Sequence, residues 1–206
     1  AGMLACADIE EGVELRRGGV RASILVFGAL SVSDLDGVFT HGLTPTISSP
    51  VAARALRDAA TRRGSRVVCH LKIDTGMNRL GFRYDNLTQT VPEVLDGAGL
   101  EIDAVYTHFA TAEDRAHPLF DVQRARFDEA VRCLEELGLR ARLRHAANSA
   151  ALLRERATWY AAVRPGLLLY GVAPAGHTEA LPLTPVMSLR SRVVAVKGMR
   201  VGETAG

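Results

Sequence analysis

The chain has 206 residues, a net charge of +2, and 48% hydrophobic against 23% charged residues, enough apolar surface to bury a core, which excludes a disordered chain. Its 25 basic residues are interspersed with 23 acidic ones and form no block, so nucleic acid is not an expected partner. Apolar runs such as 167–170 and 193–196 fall far short of the roughly 20 residues that cross a bilayer, so no membrane span is expected.

Short Val-, Ile- and Leu-rich runs alternate with stretches of helical period, the pattern of parallel strands joined by crossover helices. In chain order the reading is strand 3–7, helix 10–17, strand 23–27, strand 44–48, helix 51–63, strand 67–74, helix 85–95, strand 102–108, helix 120–137, strand 141–147, helix 149–155 and strand 163–168. The 120–137 segment is the most regular: Phe120, Ala125, Phe127, Ala130, Val131, Leu134 and Leu137 fall mainly on one stripe, and Gly138 supplies its stop. Gly64 does the same after Arg63. Cys6, Cys69 and Cys133 read as reduced thiols, two of them in apolar runs, which suits a cytoplasmic protein. No metal site is expected.

Seven strands are one short of the eight of a parallel barrel, which typically takes about 250 residues. The expected fold is therefore an α/β chain, a (β/α)8 barrel lacking its first strand unit, over residues 1–176. From 182 onward the pattern changes to Pro185 and an alternating Ser, Arg and Val stretch at 187–196 without a following helix. Residues 182–206 are read as the beginning of a C-terminal β-domain, and both ends are read as cut within a longer protein.

Active sites of such barrels lie at the C-terminal ends of the strands. Polar residues gather there: Lys72, Asp74 and Arg79 after the fourth strand, Thr107 and His108 after the fifth, Asn148 and Ser149 after the sixth, Arg164 and Gly166 at the last. Singly, each has an ordinary explanation: His108 as a hydrogen-bonded structural histidine, Ser149 or Asn148 as a helix N-cap, Arg79 as half of a surface ion pair, Gly166 as a turn. Lys72 differs, because an amine inside an apolar run must be paired or neutralised.

Four ordered segments resemble the alanine racemase family. His70-Leu71-Lys72-Ile73-Asp74-Thr75-Gly76-Met77-Asn78-Arg79-Leu80-Gly81-Phe82 is similar to the family's fifth-strand signature, and Thr107-His108-Phe109-Ala110-Thr111-Ala112 to the sixth. His145-Ala146-Ala147-Asn148-Ser149-Ala150-Ala151 resembles the seventh-strand phosphate segment, and Val163-Arg164-Pro165-Gly166-Leu167-Leu168-Leu169-Tyr170-Gly171 the eighth. The likeness runs from Met3 to Thr204.

The resemblance implies a fold-type III barrel with pyridoxal 5′-phosphate as cofactor and alanine as substrate, interconverting L- and D-alanine to supply D-alanine for peptidoglycan, as a homodimer. It implies that Ser149 and the backbone amides of Gly166 and Leu167 hold the phosphate, and that Arg164 faces the pyridine nitrogen. Arg79 would bind the phenolic oxygen and the substrate carboxylate, with Lys72 as its holder, an amine that is carbamylated in many members of the family. His108 would sit beside the ring, bridging arginine and tyrosine.

The family anchors its cofactor on a first-strand lysine in a Lys-Ala-x-Ala-Tyr-Gly-type motif, which is absent here; the chain's lysines are Lys72 and Lys197 alone. The opposing tyrosine follows a Gly-Glu-Thr segment, and here Gly202-Glu203-Thr204 precedes only Ala205-Gly206. The 206 residues alone are therefore expected to be inactive and poorly soluble. Two rival readings share the barrel: a pyridoxal-phosphate homeostasis protein, argued against by the β-pattern of 187–204, and a basic-amino-acid decarboxylase, whose ring nitrogen would face a carboxylate instead of Arg164.

Overall fold

The computed structural model describes residues 1–30, 35–176 and 181–204. Its strands are β1 (Met3–Cys6), β2 (Ser23–Val26), β3 (Thr44–Ile47), β4 (Val67–Asp74), β5 (Phe82–Arg83), β6 (Leu100–Tyr106), β7 (Leu143–Asn148) and β8 (Ala162–Arg164). Its helices are α1 (Ile9–Arg17), α2 (Asp36–Thr40), α3 (Pro50–Arg62), α4 (Leu87–Thr90), α5 (Pro92–Leu95), α6 (Leu119–Glu136), α7 (Ser149–Arg154) and α8 (Gly166–Leu169). The strands form one curled parallel sheet in the order β1-β2-β3-β4-β6-β7-β8, with the short β5 beside the end of β4. This is part of a parallel α/β barrel, and no ladder joins β1 to β8 among the described residues.

Local chemistry explains the elements. Asp8 caps α1 by accepting from the Glu11 amide at 2.9 Å, while the Glu11 carboxylate reaches back to the Ala7 amide at 2.8 Å. Ser49 caps α3 at 3.2 Å and Pro50 occupies its first position, where no amide hydrogen is needed. Helix α6 buries Phe120, Phe127, Ala130, Val131 and Leu134 as its periodicity requires, and Gly138, at φ +91°, ends it.

Alternation along the strands sorts side chains to the two faces of the sheet. Cys69, Leu71 and Ile73 of β4 join Leu56, Phe127 and Leu134 in the apolar core shared with the helices. The other face carries polar groups: Thr46, His70, Lys72, Tyr106 and His145 are all buried there, alongside Arg164. Among the described residues no helix is long and apolar enough to cross a membrane.

The differences from the sequence reading have local causes. The strand expected at 163–168 ends at Arg164, because Pro165 has no amide to donate and Gly166 starts α8. The helix expected at 85–95 is two short helices, since Pro92 cannot continue the first and instead opens the second. Helix α2 has five residues and β5 two, too few for a periodic signal. Residues 187–196 form no strand, and Met187, Leu189, Val193, Val194 and Val196 stand exposed.

Candidate active site

Four strand ends build one cleft. At the end of β4, residues 75–81 loop back so that Phe82 and Arg83 pair with Ile73 and Asp74. Asp74 organises the loop by accepting from the amides of Gly76 (2.9 Å) and Asn78 (3.1 Å). Gly81 closes it at φ +127°, where a side-chain carbon would stand 2.8 Å from the Asp74 nitrogen and 3.0 Å from the Lys72 oxygen. Only glycine permits that approach, and it sets Arg79 in front of Lys72.

At β6, Thr107 and His108 follow the strand, and the buried amide of Gln123 on α6 ties them down. Its nitrogen donates to the His108 carbonyl (3.0 Å) and the Thr75 hydroxyl (3.2 Å), and its oxygen accepts from the Ala110 amide (2.8 Å). The Thr75 and Thr107 hydroxyls share a further bond of 2.8 Å, so the ends of β4 and β6 are locked together. At β7, Asn148 caps α7, accepting from the Ala151 amide at 3.0 Å. The cap is therefore Asn148 and not Ser149. Ser149, 3% exposed, instead accepts through its hydroxyl from the backbone amide of Leu168 on α8 at 3.4 Å, which leaves its own hydrogen to donate.

Arg164 lies at the centre of the arrangement. Its Nη2 donates to the carbonyls of Thr107 (2.7 Å) and Ala146 (3.0 Å), with the His108 Nδ1 at 3.5 Å, and its Nη1 lies 2.5 Å from the His145 Nδ1. The guanidinium carbon is 5.3 Å from the Tyr106 ring centroid and 5.8 Å from that of Phe27. Burial pulls Arg164 down to about 10, still well above neutral, so it remains a cation.

Lys72, Arg79, His108, Ser149, Arg164, Gly166 and Leu167 all line the same cleft, of about 530 Å³, within the roughly 300–1,000 Å³ of small-molecule sites. Phe27, Gly28, Tyr106 and Asn148 line it with them. The cleft is mainly cationic, Lys72, Arg79 and Arg164 outnumbering Glu113 in its lining. Burial, and then the neighbouring Arg79 and Arg164, push Lys72 down to about 8, and burial followed by Arg164 pushes His108 down to about 4. Lys72 is 4% exposed and makes no ion pair among the described residues.

Of the residues singled out in the sequence, Lys72, Arg79, His108, Asn148, Ser149, Arg164, Gly166 and Leu167 line this cleft, whereas Asp74 lines a separate pocket with Gly76 and Arg126 and Thr107 is buried behind it. Tyr106, His145, His70 and Gln123 received no role in the sequence reading. His70 sits two residues before Lys72 and Tyr106 two before His108, so the alternation of buried polar residues along β4 and β6 was the available signal; in β7 a register shift between His145 and Asn148 breaks the alternation and hid His145. Gln123 gave none, because a glutamine on a helical stripe reads as surface.

Residues 1–174 match the family model described as alanine racemase, N-terminal domain. The chain belongs to the alanine racemase N-terminal domain family. It is 37% identical over 202 residues to the alanine racemase of Carboxydothermus hydrogenoformans, covering 97% of this chain and 55% of that protein. Against the Streptococcus equi subsp. equi alanine racemase the figures are 35%, 97% and 54%. Among solved structures, the alanine racemase of Clostridium difficile 630 in complex with cycloserine superposes with a TM-score of 0.85 at 29% identity, over 90% of this chain and 52% of that one. The Bacillus anthracis alanine racemase with bound L-Ala-P gives 0.81 at 33% identity, over 90% and 49%. The chain thus spans about half the length of its alanine racemase relatives. These matches do not favour the pyridoxal-phosphate homeostasis reading.

Proposed function

We propose that this racemase-family chain forms most of the pyridoxal-phosphate pocket of an alanine racemase that interconverts L- and D-alanine. The observation that carries the reading is Arg164: a guanidinium anchored on two backbone carbonyls, in a cleft whose rim offers a spare buried hydroxyl at Ser149 and further cations at Lys72 and Arg79. That donor set suits a ligand with a phosphate at one end and a carboxylate at the other. When bound, pyridoxal phosphate acts as an electron sink for negative charge at the α-carbon of an amino acid.

The residues divide the work. Ser149, free of capping duty, and the backbone amides of Gly166 and Leu167 hold the phosphate; a side chain built on Gly166 would meet nothing within 4 Å, so a ligand has room to approach. Arg164 serves the ring nitrogen. Because it keeps its protons at neutral pH, it donates a hydrogen bond there without passing on a proton, which weakens the sink and favours return of a proton to the α-carbon over competing exits. Arg79 takes the substrate carboxylate and the phenolic oxygen in a planar fork.

Lys72 holds Arg79. With its amine pulled to about 8, about a tenth of it is neutral near pH 7, enough to react with dissolved carbon dioxide. Carbamylation turns a repelling cation into an anion that can orient the arginine. His108 accepts from Arg164 and, held neutral, steers without adding charge. The lysine that anchors the cofactor and the opposing tyrosine lie outside these 206 residues, the whole protein being a homodimer, and residues 182–206 begin its second domain. The 206-residue chain by itself is inactive.

The test is alanine racemisation by the complete protein that carries this chain, with pyridoxal phosphate, beside decarboxylation of lysine, ornithine and arginine. D-Alanine formation that falls at least tenfold in Arg164→Lys is expected. Carbon dioxide release with no racemisation refutes the reading.

A further inference from the structure

Beneath the cleft lies a buried pair of imidazoles that the functional reading leaves without a role. His70 on β4 and His145 on β7 are 1% and 3% exposed, with the His70 Nδ1 3.1 Å from the His145 Nε2. His145 lies flat on Tyr106, centroids 4.6 Å apart and planes 8° from parallel, which fixes the tilt of its ring. Its other nitrogen, Nδ1, meets Arg164 Nη1.

The hydrogens in this row follow from one constraint. A guanidinium has only donors, so Arg164 donates and the His145 Nδ1 must be a bare lone pair. A neutral imidazole with a bare Nδ1 carries its hydrogen on Nε2, so His145 donates to His70, whose Nδ1 must also be bare. His70 then carries its hydrogen on Nε2, and that atom is buried without a partner. Protonating either ring would set N–H against N–H, and burial opposes it too, pushing His70 down to about 4 and His145 to about 2. The row runs in one direction, from Arg164 through His145 to His70.

We propose that His70 is a positioning residue: its bare Nδ1 accepts the His145 Nε2–H and holds that ring in place, so that the lone pair on its Nδ1 stays aimed at the Nη1 edge of Arg164. The Nη2 edge is held by the carbonyls of Thr107 and Ala146, which no side-chain change removes, so Nη1 is the end left to His145. An unpartnered buried N–H on His70 is destabilising, and an aliphatic side chain there would avoid it. Its one hydrogen-bond partner among the described residues is His145, so His70 acts through that ring. The proposal rests on the functional reading only for what Arg164 faces.

The experiment uses the complete protein carrying this chain, labelled with ¹⁵N-histidine and studied by long-range ¹H–¹⁵N correlation with and without pyridoxal phosphate, together with cofactor titrations. His70 and His145 are expected as neutral Nε2–H tautomers from pH 6 to 8. His70→Leu should leave the His145 Nε2–H without an acceptor, move its proton resonance upfield and weaken pyridoxal phosphate binding about tenfold, while His70→Gln, whose side-chain oxygen can accept from His145, should keep the resonance near its parent position and stay within about threefold. A protonated or Nδ1–H His145 in the parent protein overturns the proposal, as does His70→Leu with unchanged resonance and affinity. Absence of pyridoxal phosphate binding in a parent protein whose tautomers are as stated would instead overturn the functional reading and leave the imidazole row standing.

Discussion

Substituting Gly81 by alanine separates what the sequence motif encodes from what its geometry demands. At φ +127° an L-residue is far from the left-handed well near +57°, a strain of about 1–3 kcal/mol. The new methyl would also stand 2.8 Å from the Asp74 nitrogen and 3.0 Å from the Ile73 carbon and the Lys72 oxygen, all main-chain atoms of β4 that cannot rotate away. Overpacking of this kind adds about 1–3 kcal/mol, giving a loss of about 2–6 kcal/mol, centred on about 4 kcal/mol. Gly42 is the internal control: at φ +57°, with nothing within 4 Å of a built side chain, Gly42→Ala should cost about 1 kcal/mol. Urea unfolding of the two variants side by side should separate their midpoints by about 1–2 M. Arg79 rides on the same loop, so Gly81→Ala should also raise the substrate KM, which Gly42→Ala should not. Equal midpoints in the two variants would refute the close-approach reasoning.

Three further outcomes follow from the site. Ser149→Ala should weaken pyridoxal phosphate binding about tenfold while costing less stability than Asn148→Ala, which should lose about 1 kcal/mol through the cap of α7, because the bond Ser149 accepts from Leu168 is long; the reverse pattern in thermal melts and titrations would reassign the two residues. His70, His108 and His145 all have folded-state pKa values pulled below the usual 6.5, so none affects stability above that pH. Below it the unfolded chain takes up protons that the folded chain refuses, and stability should fall by about 4 kcal/mol per pH unit down to about pH 4, a loss that a urea midpoint flat from pH 7 to 5 would contradict. Finally, the 206-residue chain mixed with pyridoxal phosphate should racemise alanine no faster than the cofactor alone, as read by chiral chromatography, because Lys72 serves Arg79 and Lys197 lies outside the cleft.

What the linear chain disclosed was whatever repeats or interrupts locally. Alternating apolar runs and helical stripes marked six of the seven main strands to within a few residues, and the four polar segments at strand ends marked the cleft, because a parallel sheet puts every strand's C-terminal end on one rim. The seventh strand was read too long since Leu167, Leu168 and Leu169 are apolar in helix and strand alike, and only the geometry after Pro165 shows which they form.

Tertiary structure decided the assignments that depend on distance. Asn148 and Ser149 are interchangeable as cap formers in sequence; in the fold Asn148 takes the cap of α7 and Ser149 turns to the Leu168 amide of α8. Gln123 lies 48 residues from Thr75, and nothing in the helical stripe of α6 foretells that its amide ties two strand ends together. His70 and His145 are 75 residues apart, each an unremarked ring inside its own strand. Period-two alternation tells which face a residue takes, but the curl of the sheet chooses which rings meet, and with that which nitrogen carries each hydrogen.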